Sequence, residues 1–296
     1  MPHYRACLVI PALMWAASAW ADDAPLEDLA LEDLARLDVA TVSRKAQKLS
    51  ETPAAVTVLS AEDIRRSGAR SVPEALREVP GVNVAQIGAG RWAVSVRGGQ
   101  GRFSNKLLVQ IDGRSIYNPL FSGVFWEAQD MMLVDVERIE VVRGPGASLW
   151  GANAVNGVIN IMTKSSKDTQ GLLFSTDWST LVEPQVQLRY GGKISDQAYY
   201  RVYGQFTSHE SSRFEDGSDA NDEWNISRFG FRTDWDASDS AHWTIQGDAY
   251  NGAKRDFYTV SSPNSPFTED LSINGDLVGA NLLSRWTRTF SESSDL

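Results

Sequence analysis

The sequence predicts an α+β domain followed by antiparallel, membrane-spanning β-barrel strands, and three observations carry this prediction. Residues 49–167 combine helix-capping signals with short apolar runs. From residue 168 onwards, apolar and polar side chains alternate over runs of about 9–11 residues, the length that a tilted strand needs to cross a bilayer. Short and long connections between these runs also alternate, as they do in outer-membrane barrels.

The composition limits the kinds of protein this can be. The chain has 296 residues and a formal net charge of −10, which argues against a general nucleic-acid binder. Cys7 is the single cysteine, so an internal disulfide framework and any cysteine-built zinc or iron–sulfur site are excluded. Residues 22–167 hold 17 basic and 18 acidic side chains, whereas residues 168–296 hold 10 and 20. This shift predicts a domain boundary near residue 167.

Residues 1–21 are predicted to be an export signal that is removed. Arg5 supplies positive charge ahead of the apolar stretch Ala6–Ala17, and Ala19-Trp20-Ala21 has the small-x-small form of a cleavage site. A buried N-terminal helix is the alternative interpretation. Pro11, in the middle of the apolar stretch, argues against that helix.

The α+β domain begins with a strand and a capped helix. Val56–Leu59 is a β-branched, apolar run that predicts a strand. Ser60 then caps a helix, with Asp63 in a capping-box position three residues later. Gly68 is predicted to end this helix, because glycine adopts the left-handed conformation that terminates helices.

A second helix and five further strands complete the domain. Ser71 and Pro73 open the helix, and Pro80-Gly81 closes it. The strands are Gly81–Ala85, Ala93–Val96, Leu107–Ile111, Arg138–Val142 and Gly157–Met162. Asp112-Gly113 lies between apolar residues and is predicted to be a tight hairpin turn rather than the position of a catalytic aspartate.

Nothing in the sequence indicates an enzyme. The glycines at 98–101 and 144–146 lack the spacing of a dinucleotide fingerprint, and no GK[ST] follows them. His209 and His242 are the only histidines beyond the export signal, and they are far apart in the sequence. The sequence therefore predicts no catalytic residue, no cofactor and no resident metal.

Residues 168–296 contain five runs in which the alternation is clearest. The apolar face is formed by Val186, Leu188, Tyr190 and Ile194, then Tyr200, Val202 and Phe206, then Phe229, Phe231 and Trp235, then Trp243, Ile245 and Ala249, and finally Val278, Ala280, Leu282 and Trp286. The opposite face carries residues such as Arg189, Arg201, Arg228 and Asp248. We expect the apolar face to meet lipid and the charged face to line a watery lumen. A soluble β-sandwich with one wet face is the alternative.

The connections support the barrel. Short links are predicted near 195–197, 236–240 and 291–295, and long ones near 179–184, 209–223 and 252–275. Tryptophans near strand ends, as in an aromatic girdle, are Trp178, Trp224, Trp235, Trp243 and Trp286. The acid-dense stretch Glu215–Glu223 could bind Ca²⁺, but it lacks EF-hand spacing, which favours a solvated loop.

An ordered set of motifs resembles the plug domain of the TonB-dependent outer-membrane receptor family. The motifs are Pro73–Val84, Val96-Arg97-Gly98, Val109–Arg114, Arg138–Pro145 and Ser148–Asn160. The resemblance covers residues 37–167 closely and the remainder as generic barrel. It implies a globular plug inside a barrel of about 22 strands, of which this chain supplies about six. We therefore expect a fragment of a receptor, which would not form a working channel alone.

The resemblance also implies a TonB box within the tether formed by residues 22–48. The best match is the seven-residue segment Leu37, Asp38, Val39, Ala40, Thr41, Val42 and Ser43. Its β-branched residues favour an extended strand that could add to a sheet edge of TonB. An ordinary edge strand or a linker is the alternative.

Two further sets of residues take their expected roles from the family. Arg97 and Arg143 match plug arginines that pair with acidic residues on the barrel wall, and exposed hairpin charges are the alternative. The predicted loops 88–92 and 114–126 would contact ligand. Their candidate residues are Arg91, Trp92, Tyr117, Asn118, Phe121 and Trp126, and packing between plug and barrel is the alternative for each.

The function implied by the resemblance is energy-coupled uptake of a scarce nutrient across the outer membrane of a Gram-negative bacterium. A ferric siderophore-type chelate is the expected ligand, with cobalamin, a sugar or a metal as alternatives. The expected partners are TonB, outer-membrane lipid and the small-molecule ligand, the plug faces the periplasm, and the receptor is a monomer. A passive porin-like channel and a periplasmic β-sandwich binding protein are the rival interpretations.

Overall fold

The computed structural model describes residues 38–39, 47–48, 54–99, 101–178, 184–291 and 294–295. Within these residues, two short strands, β1 (Asp38–Val39) and β2 (Gln47–Lys48), pair with each other. An α+β body follows, called the first domain here, and then a large antiparallel sheet, called the wall. None of the helices in the described part of the chain is long and apolar enough to cross a membrane.

The first domain opens as the capping signals predict. Strand β3 (Ala55–Ser60) leads into helix α1 (Ala61–Ser67). The Asp63 backbone N–H donates to Ser60 Oγ at 3.1 Å, and the Ser60 N–H donates to Asp63 Oδ2 at 2.8 Å, which completes a capping box. Gly68 ends the helix with a φ of 69°.

The second helix and the five further strands lie within a few residues of their predicted bounds, and the described residues also contain a short strand, a short helix and four 3₁₀ turns that were not predicted. They are helix α2 (Val72–Ala75), a 3₁₀ turn (Leu76–Glu78), β4 (Val82–Gln86), β5 (Trp92–Val96), β6 (Leu107–Ile111), β7 (Arg114–Ser115), 3₁₀ turns at Trp126–Gln129 and Leu133–Asp135, β8 (Val136–Arg143), α3 (Ala147–Trp150), β9 (Gly157–Thr163) and a 3₁₀ turn at Ser166–Asp168. The turn between β6 and β7 is the predicted hairpin, because Asp112 and Gly113 both have positive φ, at 49° and 77°.

A large apolar core and a smaller second cluster around Leu108, Val142, Ala154 and Val158 hold the first domain together. Its five-stranded sheet has the order β3-β8-β9-β6-β7, with β6 and β9 parallel, and β4 pairs only with β5. Side chains from this sheet, from both leading helices and from the β4–β5 hairpin form one buried cluster that includes Ile64, Leu76, Val96, Ile139 and Ile159. The β4–β5 hairpin is thereby fixed to the first domain, and its connecting turn, 87–91, extends toward the wall.

The wall is an open, seven-stranded antiparallel sheet, consistent with part of a barrel. Its strands follow chain order: β10 (Gly171–Asp177), β11 (Gln185–Ser195), β12 (Ala198–His209), β13 (Trp224–Ser238), β14 (Ala241–Ser261), β15 (Thr268–Ser291) and β16 (Ser294–Asp295). The predicted alternation is confirmed. Arg189 is 8% exposed, whereas the adjacent Leu188 is 51% exposed. The charged face of the wall therefore packs against the first domain.

Three predictions about the wall are wrong in detail. The long connection expected over 252–275 is wrong, because most of these residues belong to strands β14 and β15. The two strands stay in register from Gly252↔Leu277 to Ser261↔Thr268, so that only residues 262–267 connect them. The turn expected over 291–295 contains β16. Trp224 is not a girdle residue: it is 5% exposed and packs inward against Ala89.

Candidate functional site

Three segments of the first domain meet the wall at one end, here called the long-loop end because the long connection 210–223 lies there. These segments are the turn at 87–91 between β4 and β5, the loop at 101–104, and the stretch 116–129. Arg91 and Arg102 of the first two segments both contact the part of β14 around Asp256. Phe125, in the third segment, has its ring centroid 5.6 Å from Lys254 Nζ of β14. The two loops predicted to touch ligand, 88–92 and 114–126, therefore lie at the same end of the wall.

A cluster of charged residues joins the first domain to β14 at this end. Arg102 binds Glu127 at 2.8 Å, and Lys254 bridges Glu127 at 3.2 Å and Asp256 at 3.0 Å. Arg91 and Arg102 each lie 3.7 Å from Asp256. We call these five residues the junction cluster. Its three cations share two carboxylates, so the cluster carries an excess positive charge.

Burial and charge oppose each other at Arg102. Burial alone would lower the pKa of this guanidinium, but the neighbouring carboxylates of Glu127 and Asp256 outweigh burial and raise the pKa above its usual range. The Arg102 guanidinium also donates to the Tyr258 hydroxyl at 2.6 Å. Arg102 is therefore a fixed positive charge at the boundary between the first domain and the wall.

Aromatic rings lie directly beside the junction cluster. Phe121 makes edge contacts with Phe103, at 5.0 Å between ring centroids, and with Phe125, at 4.8 Å. Arg102 lies 5.8 Å from the ring centroids of both Phe103 and Phe125, and Lys254 lies 5.6 Å from that of Phe125. Phe103 remains 57% exposed. The site thus combines an accessible aromatic surface with a buried cluster in which cations outnumber carboxylates.

The structure leaves four of the six predicted ligand residues at least partly exposed and buries the other two. Arg91 belongs to the junction cluster and Phe121 to the aromatic surface, while Tyr117 is exposed and hydrogen-bonded to Ser122 at 3.2 Å. Asn118 caps the neighbouring turn by accepting from the Leu120 N–H at 2.9 Å.

Trp92 and Trp126 are the two buried residues. The expectation that their side chains are exposed in ligand-facing loops is wrong. Each is 6% exposed, and both pack in the core of the first domain. A ring that fills the core cannot present a face to a ligand in this conformation.

The two arginines expected to pair with the wall have different surroundings. Arg143 donates to the Pro80 carbonyl oxygen at 2.6 Å and to Thr57 Oγ1 at 3.2 Å, both within the first domain. Arg97 is exposed, with a φ of 55°. Among the described residues, neither forms an ion pair with a carboxylate, so their pairing with a barrel wall stays a prediction.

Away from the junction cluster, further ion pairs across the boundary have arginines on the wall and carboxylates on the first domain. Asp135 contacts Arg189 and lies 3.7 Å from Arg201, and Asp112 lies 3.9 Å from Arg232. Sequence analysis placed these arginines on the inward face but not their partners. An arginine row on a buried face does signal that carboxylates must lie opposite, since buried charges need partners.

The predicted TonB box and the acid-dense stretch 215–223 are the last two features predicted from the sequence. Within the predicted TonB box, Asp38 and Val39 form strand β1, in which Asp38 pairs with Lys48 and Val39 with Gln47. The other residues of the box, Leu37 and 40–43, lie outside the described residues. For the acid-dense stretch, the described residues contain no group of three or more acidic, histidine or cysteine side chains able to hold a metal.

A pH-dependent prediction concerns Asp130, a buried carboxyl of the first domain. It accepts hydrogen bonds from Gln205 Nε2 and Thr207 Oγ1 of the wall, each at 2.6 Å. Burial raises its pKa, against the lowering effects of Thr207, Arg228 and Gln205. A carboxyl whose pKa is raised by folding stabilises the fold in its protonated form, and this contribution is lost as pH rises through the folded-state pKa.

We expect Asp130→Asn to increase the free energy of unfolding relative to the wild type at alkaline pH, with the gain shrinking as pH falls. Denaturant unfolding of both proteins across a pH series measures this difference. The control is Asp239→Asn, which changes an exposed turn residue and should give a flat difference. A stability gain from Asp130→Asn that grows toward acid pH would contradict the raised pKa of Asp130.

The comparisons with known proteins agree with this architecture. An α+β domain seated against the polar face of an antiparallel wall defines the class of plugged β-barrel proteins. Residues 48–158 match the family model described as the TonB-dependent receptor plug domain. The first domain is therefore identified as a plug domain of the TonB-dependent receptor type.

Individual relatives point in the same direction. The vitamin B12 transporter BtuB of Vibrio vulnificus is 27% identical over 246 residues, which are 81% of this chain and 39% of that protein. The iron-regulated outer membrane virulence protein of Vibrio cholerae is 34% identical over 192 residues, covering 60% and 28% of the two chains. The ferripyoverdine receptor of Pseudomonas aeruginosa shares the fold, with a TM-score of 0.63 and 18% identity over 86% of this chain and 34% of that one. The chain thus spans well under half the length of these proteins.

Proposed function

We propose that this chain serves in a TonB-dependent outer-membrane receptor for energy-coupled uptake of a scarce nutrient, and that the nutrient is a ferric siderophore-type chelate. The observation that carries the ligand class is the junction cluster beside an exposed aromatic surface. Excess positive charge favours an anionic ligand, and the rings of Phe103 and Phe121 favour a ligand with planar groups. The receptor performs no chemistry on its cargo.

Energy coupling is proposed to run through residues 37–43. Binding of ligand at the long-loop end would loosen the plug and expose this segment at the opposite, periplasmic side. TonB would then pair with it by strand addition and pull, and the plug would rearrange to open a path. Arg97 and Arg143 are proposed to join the plug to further acidic residues on the wall.

Cobalamin is the second candidate ligand, because a relative named as a vitamin B12 transporter matches 81% of this chain. The two candidates differ in what they demand of the junction cluster. An anionic ferric chelate needs the charge of Arg102, whereas cobalamin is a large amphipathic ligand that relies mainly on contact area.

Equilibrium binding to the receptor expressed from its native gene tests the ligand class. The probes are a ferric catecholate, a ferric hydroxamate, cyanocobalamin and a maltodextrin. We expect Arg102→Gln to weaken binding of the anionic ferric chelate about tenfold or more, since it removes charge-assisted hydrogen bonding from a buried site. Glu127 keeps Lys254 as a partner in this variant, so the cluster stays paired.

Arg66→Gln is the matched control, because Arg66 is an exposed helix residue paired only with Glu62. It should leave every affinity unchanged. Binding of cyanocobalamin in preference to all ferric chelates, insensitive to Arg102→Gln, would replace the siderophore proposal with the cobalamin one. Absence of binding to every probe would contradict both.

A further inference from the structure

We propose that Asp222 is a positioning residue, which locks the 87–91 turn of the plug into the wall and couples the 210–223 loop to Arg91. The importance of Arg91 for ligand rests on the proposed function. The mechanical coupling itself rests only on the contacts described below.

The carboxylate of Asp222 joins the loop to the turn. Its Oδ2 accepts the backbone N–H of Ala89 at 2.8 Å, across 133 residues of sequence. Within the loop, Oδ1 accepts the Ser212 N–H at 2.7 Å and Ser211 Oγ at 3.1 Å, and Oδ2 also accepts Ser212 Oγ at 3.1 Å. Asp222 is 4% exposed. A single buried carboxylate therefore accepts hydrogen bonds both from residues at the base of the loop and from the backbone of the turn.

The turn fits the wall most closely at Gly90, where an added Cβ would lie 2.3 Å from Trp224 Nε1. A Cβ on Gly88 would meet the turn's own Arg91 side chain, 2.5 Å from Nε, and would lie 2.9 Å from Asp222 Oδ2. Ala89 between them packs in a small apolar cluster with Trp224 and Ile226. The small residues of the Gly-Ala-Gly sequence thus allow this turn to pack between the loop and β13.

The same turn holds Arg91 in the junction cluster. The turn is closed by its own hydrogen bond from the Ile87 N–H to the Arg91 carbonyl oxygen at 2.8 Å. On the wall side, Arg91 donates to the Phe257 carbonyl oxygen at 3.3 Å and lies 3.7 Å from Asp256. Displacing the loop would remove the acceptor of Ala89 and loosen the turn that carries Arg91. Conversely, moving the turn would withdraw the Ala89 donor from the loop, since coupling between two sites is reciprocal.

Cysteine labelling tests the loop-to-turn direction without any ligand. In a Cys7→Ser background, Ala89→Cys supplies the only thiol within these 296 residues, on a side chain that is buried while the turn is seated. An asparagine at 222 accepts at only one of its two side-chain positions, so the N–H of Ala89 or of Ser212 loses its acceptor. We expect Asp222→Asn to speed maleimide labelling about tenfold or more.

The control is Asp216→Asn, in the same loop, because Asp216 is exposed and its hydrogen bonds run to Ser218. Labelling that stays within about twofold of the parent in Asp222→Asn would overturn the proposal. Equal acceleration by Asp216→Asn would also overturn it, since general loosening of the loop would then explain the effect.

Limited proteolysis tests the reverse direction with a change that leaves Asp222 intact. Gly90→Ala should unseat the turn, and trypsin should then cleave faster after the exposed Arg213 in the loop. Gly101→Ala is the matched control, because nothing lies within 4 Å of a Cβ built there. Cleavage equal in the two variants would overturn the coupling. Because neither readout uses ligand, failure here leaves the proposed uptake function standing, and failure of ligand binding leaves the coupling standing.

Discussion

Asp135→Ala is expected to lower the free energy of unfolding by about 3–5 kcal/mol, because it strips a carboxylate from two buried arginines of the wall. Asp135 is 4% exposed and contacts Arg189 and Arg201, which are 8% and 3% exposed. Arg201 retains one hydrogen bond, to the Lys164 carbonyl oxygen at 2.7 Å. That neutral acceptor does not replace a charge, so both guanidinium groups must either stay buried without a carboxylate or separate the plug from the wall.

Denaturant unfolding of wild type and variant measures this loss. Glu137→Ala is the matched control: this carboxylate lies two residues further on, pairs with Arg138 and is half exposed, so about 0–1 kcal/mol is expected. A double-mutant cycle with Arg189→Met separates charge from shape, because the cost of Asp135→Ala should shrink once one arginine is gone. A loss no larger than that of Glu137→Ala would contradict the role given to this ion pair.

Local signals in the sequence were sufficient where short-range physics decides the structure. The capping box of Ser60 and Asp63, the left-handed Gly68 and the Asp112-Gly113 turn each depend on residues within a few positions of one another. The faces of the wall were predictable for a similar reason. Neighbouring residues such as Leu188 and Arg189 point to opposite sides of a strand, whatever the sheet contacts elsewhere.

The errors occur where the outcome depends on distant partners. The polar residues of 252–275 look like a loop, yet β14 and β15 pair throughout because backbone hydrogen bonds form regardless of side-chain polarity. Trp126 looks like a ligand residue, but its burial depends on how strands and turns far apart in sequence close over it. The partners of Arg189 and Arg228 lie on segments that no local pattern connects to them.

The candidate site follows the same division. Arg91 and Phe121 were predicted as ligand residues because arginine and aromatic residues in predicted loops favour binding, and their contact with ligand stays a prediction. Sequence analysis missed Arg102, Lys254 and Asp256, because their joint excess charge exists only when the plug is seated against β14. It also read the acid-dense stretch as solvated, whereas Asp222 within it is buried against the turn.

The central claim is that uptake is driven through the segment 37–43, and replacing that segment tests the claim most directly. The change substitutes a glycine–serine sequence of equal length, so that tether length is kept while strand-forming side chains are lost. The control makes the same replacement at residues 27–33, in the acidic part of the tether. Both variants should reach the outer membrane and bind the chelate as the wild type does.

The measurement is the initial rate of radiolabelled ligand uptake by cells that express each variant from the native gene. We expect replacement of 37–43 to reduce the rate to the background of cells lacking the receptor, while replacement of 27–33 leaves it unchanged. Uptake at the wild-type rate after replacement of 37–43, with ligand binding intact, would contradict energy coupling through this segment and favour a passive channel.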